Sequence, residues 1–118
     1  MRVVRLAAPG GLENLKLVEE DHPKPRPGEV LVRIRASSLN FHDDMVVQGK
    51  IPCTDGRIPM SDGAGEVIAA GDGVEEFKAG DAVVSTFWPY WLGGDMTPAT
   101  RRDIPGDNVD GYAREYVC

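Results

Sequence analysis

Cysteine and histidine are scarce in this sequence, with two residues of each among 118. Cys53 and Cys118 lie far apart, and neither belongs to a CxxC pair or to a cluster of cysteines and histidines. A disulfide framework is therefore not expected, and neither is a structural zinc site, which needs about four ligands. This cysteine usage is typical of a reduced, cytoplasmic protein, and that is the location we predict.

Long hydrophobic runs and stripes of basic residues are also lacking. Charged residues, glycine or proline interrupt the N-terminal stretch MRVVRLAAPGGLENL every few positions, so neither a signal-peptide core nor a membrane span of roughly 20 residues is predicted. The 19 acidic residues outnumber the 13 basic ones, the net charge is −6, and the basic residues are scattered. We expect no nucleic-acid partner and no membrane partner.

Glycine and proline are abundant instead, with 14 and 9 residues. They punctuate short apolar segments that predict strands at 1–8, 15–20, 29–39, 66–71, 82–88 and 112–118. In the clearest of these strands, Val32 and Ile34 alternate with Arg33 and Arg35. Phe77, in the turns after the fourth strand, is predicted to point inward. The pattern indicates a mainly β fold, a small Greek-key or barrel-like domain with one or two short helices.

The segment SSLNFHDDMVVQG, residues 37–49, is predicted to contain a short helix. Asn40 is a favourable N-cap, and Asp43 three residues later can complete a capping box. Gly49 is a natural residue to close the helix. Because the same segment places Asn40 beside His42, it is also a candidate reaction site, and both interpretations remain open for Asn40.

Four stretches resemble the medium-chain dehydrogenase/reductase superfamily: PGEVLVRIRASSLNFHDDMVVQG, IPMSDGAGEVIAAGDGVEEFKAGDAVV, STFWPYWLGG and GYAREYV. The second matches the N-terminal domain of that superfamily nearly position for position. The resemblance implies a GroES-like β-barrel over residues 1–118, forming the substrate-side catalytic domain. It also implies NADP or NAD as cofactor, bound mainly by a separate Rossmann domain that is absent from this chain. Because the chain stops within a strand pattern, we expect it to be an N-terminal fragment.

The glycines of GAGEVIAAGDG are not a dinucleotide fingerprint, since they lack the strand before and the helix after that such a motif requires. Tight turns and close backbone approaches are the expected reasons for them.

The resemblance also bears on zinc. Zinc-dependent members carry a cysteine at the start of the short helix and a His-Glu pair before the glycine stretch, and these positions hold Asn40, Ser61 and Asp62 here. Neither asparagine nor serine replaces thiolate and imidazole as a zinc ligand. The resemblance is therefore closest to the zinc-independent branch, with its quinone oxidoreductases and enoyl reductases, and no metal is expected.

Catalytic candidates follow from the same resemblance. Asn40 would offer an amide donor beside the nicotinamide and the substrate, which makes it a candidate for catalysis and for cofactor binding. His42 stands where zinc-dependent relatives keep a proton-passing hydroxyl, and a histidine can pass a proton near neutral pH. Ser61 would face the same pocket. The alternatives are a packing role for His42 and a structural role for Asp43.

Aromatic side chains are the candidates for a substrate pocket. Phe41, Trp88 and Trp91 could line an apolar cleft, although aromatic residues near loops are also ordinary core anchors. Asp62 lies in the sequence SDG, and it is either a turn residue or a supporting acid.

We therefore predict the N-terminal domain of a zinc-independent, NAD(P)H-dependent enzyme that resembles alcohol dehydrogenases and quinone oxidoreductases. It would transfer hydride to or from a carbonyl, quinone or enone, and the full-length protein would be a homodimer acting on a small-molecule substrate. The fragment alone is expected to be inactive. The alternative is a non-catalytic GroES-like binding or structural module.

Overall fold

The computed structural model describes residues 1–118 and consists of two antiparallel sheets and one short α-helix. The first sheet is a hairpin of β1 and β2, and the second has four strands in the order β5-β4-β3-β6. The strands are β1 (Arg2–Leu6), β2 (Leu15–Glu19), β3 (Val30–Ala36), β4 (Ala64–Ala70), β5 (Ala82–Val84) and β6 (Tyr116–Val117). The helix α1 (Phe41–Val47) follows β3, and no helix in the chain is long and apolar enough to cross a bilayer.

The mainly β prediction is confirmed, but the last predicted strand is much shorter than expected. Only Tyr116–Val117 pair with β3. Just before them, Tyr112 N–H donates to the Met60 carbonyl at 3.0 Å, and Ala113 accepts from Val4 N–H at 2.8 Å. This part of the predicted strand is bonded to the 58–60 segment and to β1, so it connects the two sheets instead of extending one of them.

The core of the larger sheet is built on β3 and β4. Val32, Val67 and Val117 form its buried cluster. Arg33 and Arg35 are exposed, so the alternation predicted for β3 is confirmed. The inward orientation predicted for Phe77 is wrong, because its side chain lies on an open face of the sheet and is 46 % exposed.

The end of α1 is held against the turn between β1 and β2. Gly11 N–H donates to the Val47 carbonyl at 2.6 Å. Gly49 closes the helix at φ 72°, as predicted, and a Cβ at this position would lie 2.5 Å from the Pro9 carbonyl oxygen. This contact fixes the C-terminal end of the helix and leaves its N-terminal end, at Asn40, facing the 58–62 segment.

Candidate functional site

The start of α1 is a capping box, as the sequence predicts. Asn40 is the N-cap residue with extended backbone angles, and its side chain and that of Asp43 cap reciprocally. The Asn40 N–H donates to Asp43 Oδ2 at 2.9 Å. Asp43 and Asp44 place negative charge in the first turn, where the helix dipole favours it. The backbone position of Asn40 is therefore well determined.

Asp43 connects the helix to the next segment of the site. Its other carboxylate oxygen, Oδ1, accepts a hydrogen bond from Ser61 N–H at 2.7 Å, and the side chain is only 3 % exposed. One buried carboxylate therefore binds the backbones of Asn40 and Ser61, which are 21 residues apart. This is a structural role, and it brings together two of the predicted catalytic residues.

The side chains of Asn40 and Ser61 meet beside Asp62. Asn40 Nδ2 lies 3.1 Å from Asp62 Oδ2 and 3.5 Å from Ser61 Oγ. Ser38 also donates to Asp62, through its N–H at 3.0 Å and through its hydroxyl at 2.7 Å. The result is a small polar cluster, Ser38–Asn40–Ser61–Asp62, whose last three residues stand at the positions that zinc-dependent relatives are expected to use for metal.

The charge of this cluster resides on Asp62. Burial by itself raises the pKa of Asp62, but hydrogen bonds from Ser38, Asn40 and Ser37 outweigh this effect, so that the pKa lies below its ordinary value. Asp62 is therefore ionised at neutral pH, and the Asn40 amide donates to a carboxylate. Asp62 acts as more than a turn residue, because it orients the amide of Asn40.

His42 is placed differently from Asn40 and Ser61. Its Nε2 lies 2.9 Å from Asp107 Oδ2. The other ring nitrogen, Nδ1, is buried without a hydrogen-bond partner. The ring packs edge-on against Phe87, with 5.2 Å between centroids. It makes no hydrogen bond to Asn40 or Ser61. Asp107 is not among the predicted site residues, because it lies 65 residues from His42 in a polar loop without a recognisable motif.

An apolar cavity of about 560 Å³ opens beside Asn40. Phe41 lines it together with Leu39 and Met60, and Asp43 and Asp44 are among its few polar lining residues. Phe41 is 77 % exposed and Leu39 87 % exposed, so the cavity is a groove on the surface of this chain. Its composition, mostly apolar with a few polar residues, is typical of small-molecule sites.

Trp88 and Trp91 do not line this groove. Trp88 packs edge-on against Phe87, and the guanidinium of Arg101 lies 5.5 Å from its ring centroid. Trp91 is 41 % exposed and donates its indole N–H to the Gly94 carbonyl at 3.0 Å. These two side chains therefore lie outside the groove that Phe41 lines, and a shared substrate pocket for the three aromatic residues stays a prediction.

Comparison with known proteins decides the family. The protein-family model of the Alcohol dehydrogenase GroES-like domain matches residues 26–118 of this sequence. The chain belongs to this family. It is thereby a member of the medium-chain dehydrogenase/reductase superfamily, and its GroES-like fold is confirmed.

Among curated relatives, a zinc-type alcohol dehydrogenase-like protein of Schizosaccharomyces pombe is 38 % identical over 110 residues, covering 91 % of this chain and 32 % of the relative. A cobalt- and zinc-bound thermostable alcohol dehydrogenase from Pyrobaculum aerophilum superposes with a TM-score of 0.87 at 36 % identity, covering 99 % of this chain and 38 % of that one. Escherichia coli quinone oxidoreductase in complex with NADPH gives a TM-score of 0.66 at 32 % identity over 71 % of this chain and 26 % of that one. The chain therefore spans about a third of the length of the Schizosaccharomyces pombe and Pyrobaculum aerophilum proteins.

The three residues at the expected ligand positions within this GroES-like domain form a weak donor set for zinc. The structure has no group of three or more histidine, cysteine, aspartate or glutamate residues placed to hold a metal. At the expected ligand positions only Asp62 carries a strong ligand group, and its oxygens already accept from Ser38 and Asn40. An amide and a hydroxyl are weak ligands for this metal.

The glycines of the GAGEVIAAGDG stretch allow backbone segments to pack closely around β4. A Cβ on Gly65 would collide with the Arg33 carbonyl oxygen, and one on Gly71 would collide with the Arg26 carbonyl oxygen. Both lie in or next to β4, and no helix follows them. This arrangement confirms close backbone approach as the reason for these glycines, as predicted.

Proposed function

We propose that this GroES-like domain is the substrate-side part of a nicotinamide-dependent oxidoreductase that works without zinc, and that the reducible group is a carbonyl, a quinone or an enone. One observation carries the proposal. Among relatives that include a zinc-type alcohol dehydrogenase-like protein and an NADPH-bound quinone oxidoreductase, the metal-ligand positions hold Asn40, Ser61 and Asp62 in this chain, and the Asn40 amide contacts the side chains of both others.

The chemistry requires hydrogen-bond donors at this place. A bound NADPH or NADH would supply the hydride, and negative charge would develop on the substrate oxygen. The amide of Asn40 is a donor that can stabilise this charge without a metal, whereas Ser61 is only 1 % exposed and would act by supporting Asn40. Asp62 accepts from the Asn40 amide at 3.1 Å, which orients it, while the contacts of the same nitrogen with Ser38 and Ser61 are longer, at 3.3–3.5 Å, and are the ones that a substrate oxygen or the nicotinamide carboxamide would replace.

The apolar groove beside Asn40 supports the same proposal. Leu39 and Phe41 line the groove together with Asn40, so apolar surface lies beside the residue that supplies the amide donor. A substrate with an apolar body and one carbonyl oxygen matches this distribution of groups.

The proposal is tested with the full-length protein. We expect NADPH or NADH oxidation with at least one member of a panel of quinones, enones and aldehydes, and we expect purified protein to contain far less than one zinc per chain. Overnight dialysis against a strong chelator should leave the rate unchanged. No turnover across the panel would argue against oxidoreductase chemistry, and about one zinc per chain with loss of the rate on chelation would overturn zinc independence.

A further inference from the structure

His42 lies between two buried carboxylates that come from different parts of the chain. Its Nε2 is 2.9 Å from Asp107 Oδ2, and its Nδ1 is 3.7 Å from Asp43 Oδ1. The three side chains are 18 %, 6 % and 3 % exposed, in the order His42, Asp107, Asp43. A carboxylate oxygen accepts hydrogen bonds, so the contact with Asp107 is a hydrogen bond in the tautomer of His42 that carries its proton on Nε2. The imidazole therefore joins α1 to the loop that carries Asp107.

That loop also contacts the segment before Ser61. Tyr112 N–H donates to the Met60 carbonyl at 3.0 Å. Gly106 approaches Met60 so closely that a Cβ there would lie 3.1 Å from the Met60 carbonyl carbon. Displacement of the Asp107 loop would consequently displace Met60 and with it Ser61.

Asp43 links Asn40 to Ser61, because its carboxylate accepts hydrogen bonds from the backbone N–H groups of both residues. We propose that Asp107, acting through His42, is a positioning residue that fixes the Asn40 amide relative to Ser61. The inference rests on the proposed function only in assigning a catalytic use to that pair. A displacement of about 1 Å in a donor can cost about 100-fold in rate, so a contact remote from the substrate is sufficient to matter.

Two substitutions of His42 distinguish a positioning role from a proton-transfer role. Glutamine places an amide Nε2–H near the position of the imidazole Nε2–H, and it can donate to Asp107 but cannot pass a proton. His42→Ala is expected to lower kcat of the full-length protein about 10-fold with KM within twofold. His42→Gln is expected to restore at least a third of the wild-type kcat. If glutamine is no better than alanine, the positioning role is overturned.

Asp107→Asn tests the other partner. The amide keeps the size of the side chain but replaces a charge-assisted hydrogen bond with a neutral one. We expect kcat to fall by about the same factor as in His42→Ala, and the double variant to be no worse than either single one. Asp95→Asn, an exposed aspartate in the preceding loop, is the matched control and should behave as wild type. Additive losses in the double variant would contradict a shared pathway.

Nuclear magnetic resonance separates this inference from the proposed function. In Asp107→Asn, and not in Asp95→Asn, the side-chain amide signals of Asn40 and the backbone N–H signal of Ser61 should shift, although neither group is hydrogen-bonded to residue 107. If the wild-type protein has no turnover, the proposed function fails, and these shifts alone decide the positioning role. Unchanged signals would reject it, and should Asp107→Asn not fold, His42→Gln and His42→Ala provide the same comparison.

Discussion

Asn40 Nδ2 and Asp62 Oδ2 are 3.1 Å apart, and this contact gives the N-cap residue of a seven-residue helix a second set of partners. The backbone and side chain of Asn40 complete the capping box with Asp43, while the amide nitrogen is directed to Asp62 and Ser61. The two interpretations of Asn40, helix cap and donor at a reaction site, are therefore compatible, because different atoms serve them. Substitutions can separate the two roles.

Asn40→Ser should retain the cap and lose the amide. Serine is as good an N-cap as asparagine, but its short side chain cannot reach the position of Nδ2. We expect the unfolding free energy to stay within about 0.5 kcal/mol of wild type and kcat of the full-length protein to fall about 100-fold, the loss typical of one oxyanion donor. Asn40→Ala is the companion variant, with a similar kcat and an additional loss of about 1 kcal/mol. Wild-type turnover in Asn40→Ser would rule out the amide as a donor.

Asp62 should make stability depend on acid pH. Its pKa is lowered in the folded protein, with burial opposing the shift and hydrogen bonds from Ser38 and Asn40 outweighing it. A lowered folded pKa stabilises the protein above the unfolded value, near pH 4, and this contribution is lost as pH falls through the folded pKa. The difference in unfolding free energy between wild type and Asp62→Asn should therefore be constant from pH 5 to 7 and shrink below about pH 4. Urea titrations at each pH measure it, and a difference that does not vary with pH would show that the charge of Asp62 is not stabilising.

Much of this site was predictable because its signals are local. Asn40 and Asp43 are three residues apart, the spacing of a capping box, and Gly49 follows the last apolar residues of the helix. The faces of β3 were predictable for the same reason, since Val32 and Arg33 alternate with the period of a strand. Where the repeat of a helix or strand determines which residues are neighbours, the sequence alone is sufficient to predict their contact.

The contact between His42 and Asp107 could not be predicted, because nothing near either residue indicates the other. It depends on how a long loop returns to the helix, which is set by contacts such as Tyr112 to Met60. The separation of Trp88 from Phe41 has the same origin. Aromatic composition indicates apolar contacts, but only the tertiary structure decides which side of the domain they occupy.

Asp43 should be the most stabilising carboxylate of the helix. It is buried and accepts from the N–H groups of Asn40 and Ser61. In Asp43→Asn one acceptor becomes an NH₂ group facing an N–H donor, which leaves a buried donor unsatisfied. We expect a loss of about 2–3 kcal/mol in unfolding free energy, measured by urea denaturation. Asp44→Asn is the control, since Asp44 is exposed and bonds only Gln48, and it should cost less than about 1 kcal/mol. Equal losses would show that the bridge to Ser61 adds nothing.

Substitution of Gly65 tests whether the glycine motif is needed for the close approach of β3 and β4. A Cβ at this position would collide with the Arg33 carbonyl oxygen, which belongs to the neighbouring strand and cannot move without breaking its pairing. Gly65→Ala should therefore separate β3 from β4 locally and cost about 3 kcal/mol of unfolding free energy. Gly73 provides the contrast, because a Cβ there meets no atom within 4 Å and only its positive φ of 79° is strained. Gly73→Ala should cost about 1–2 kcal/mol. If both variants lose the same amount, backbone conformation rather than close strand approach explains the motif.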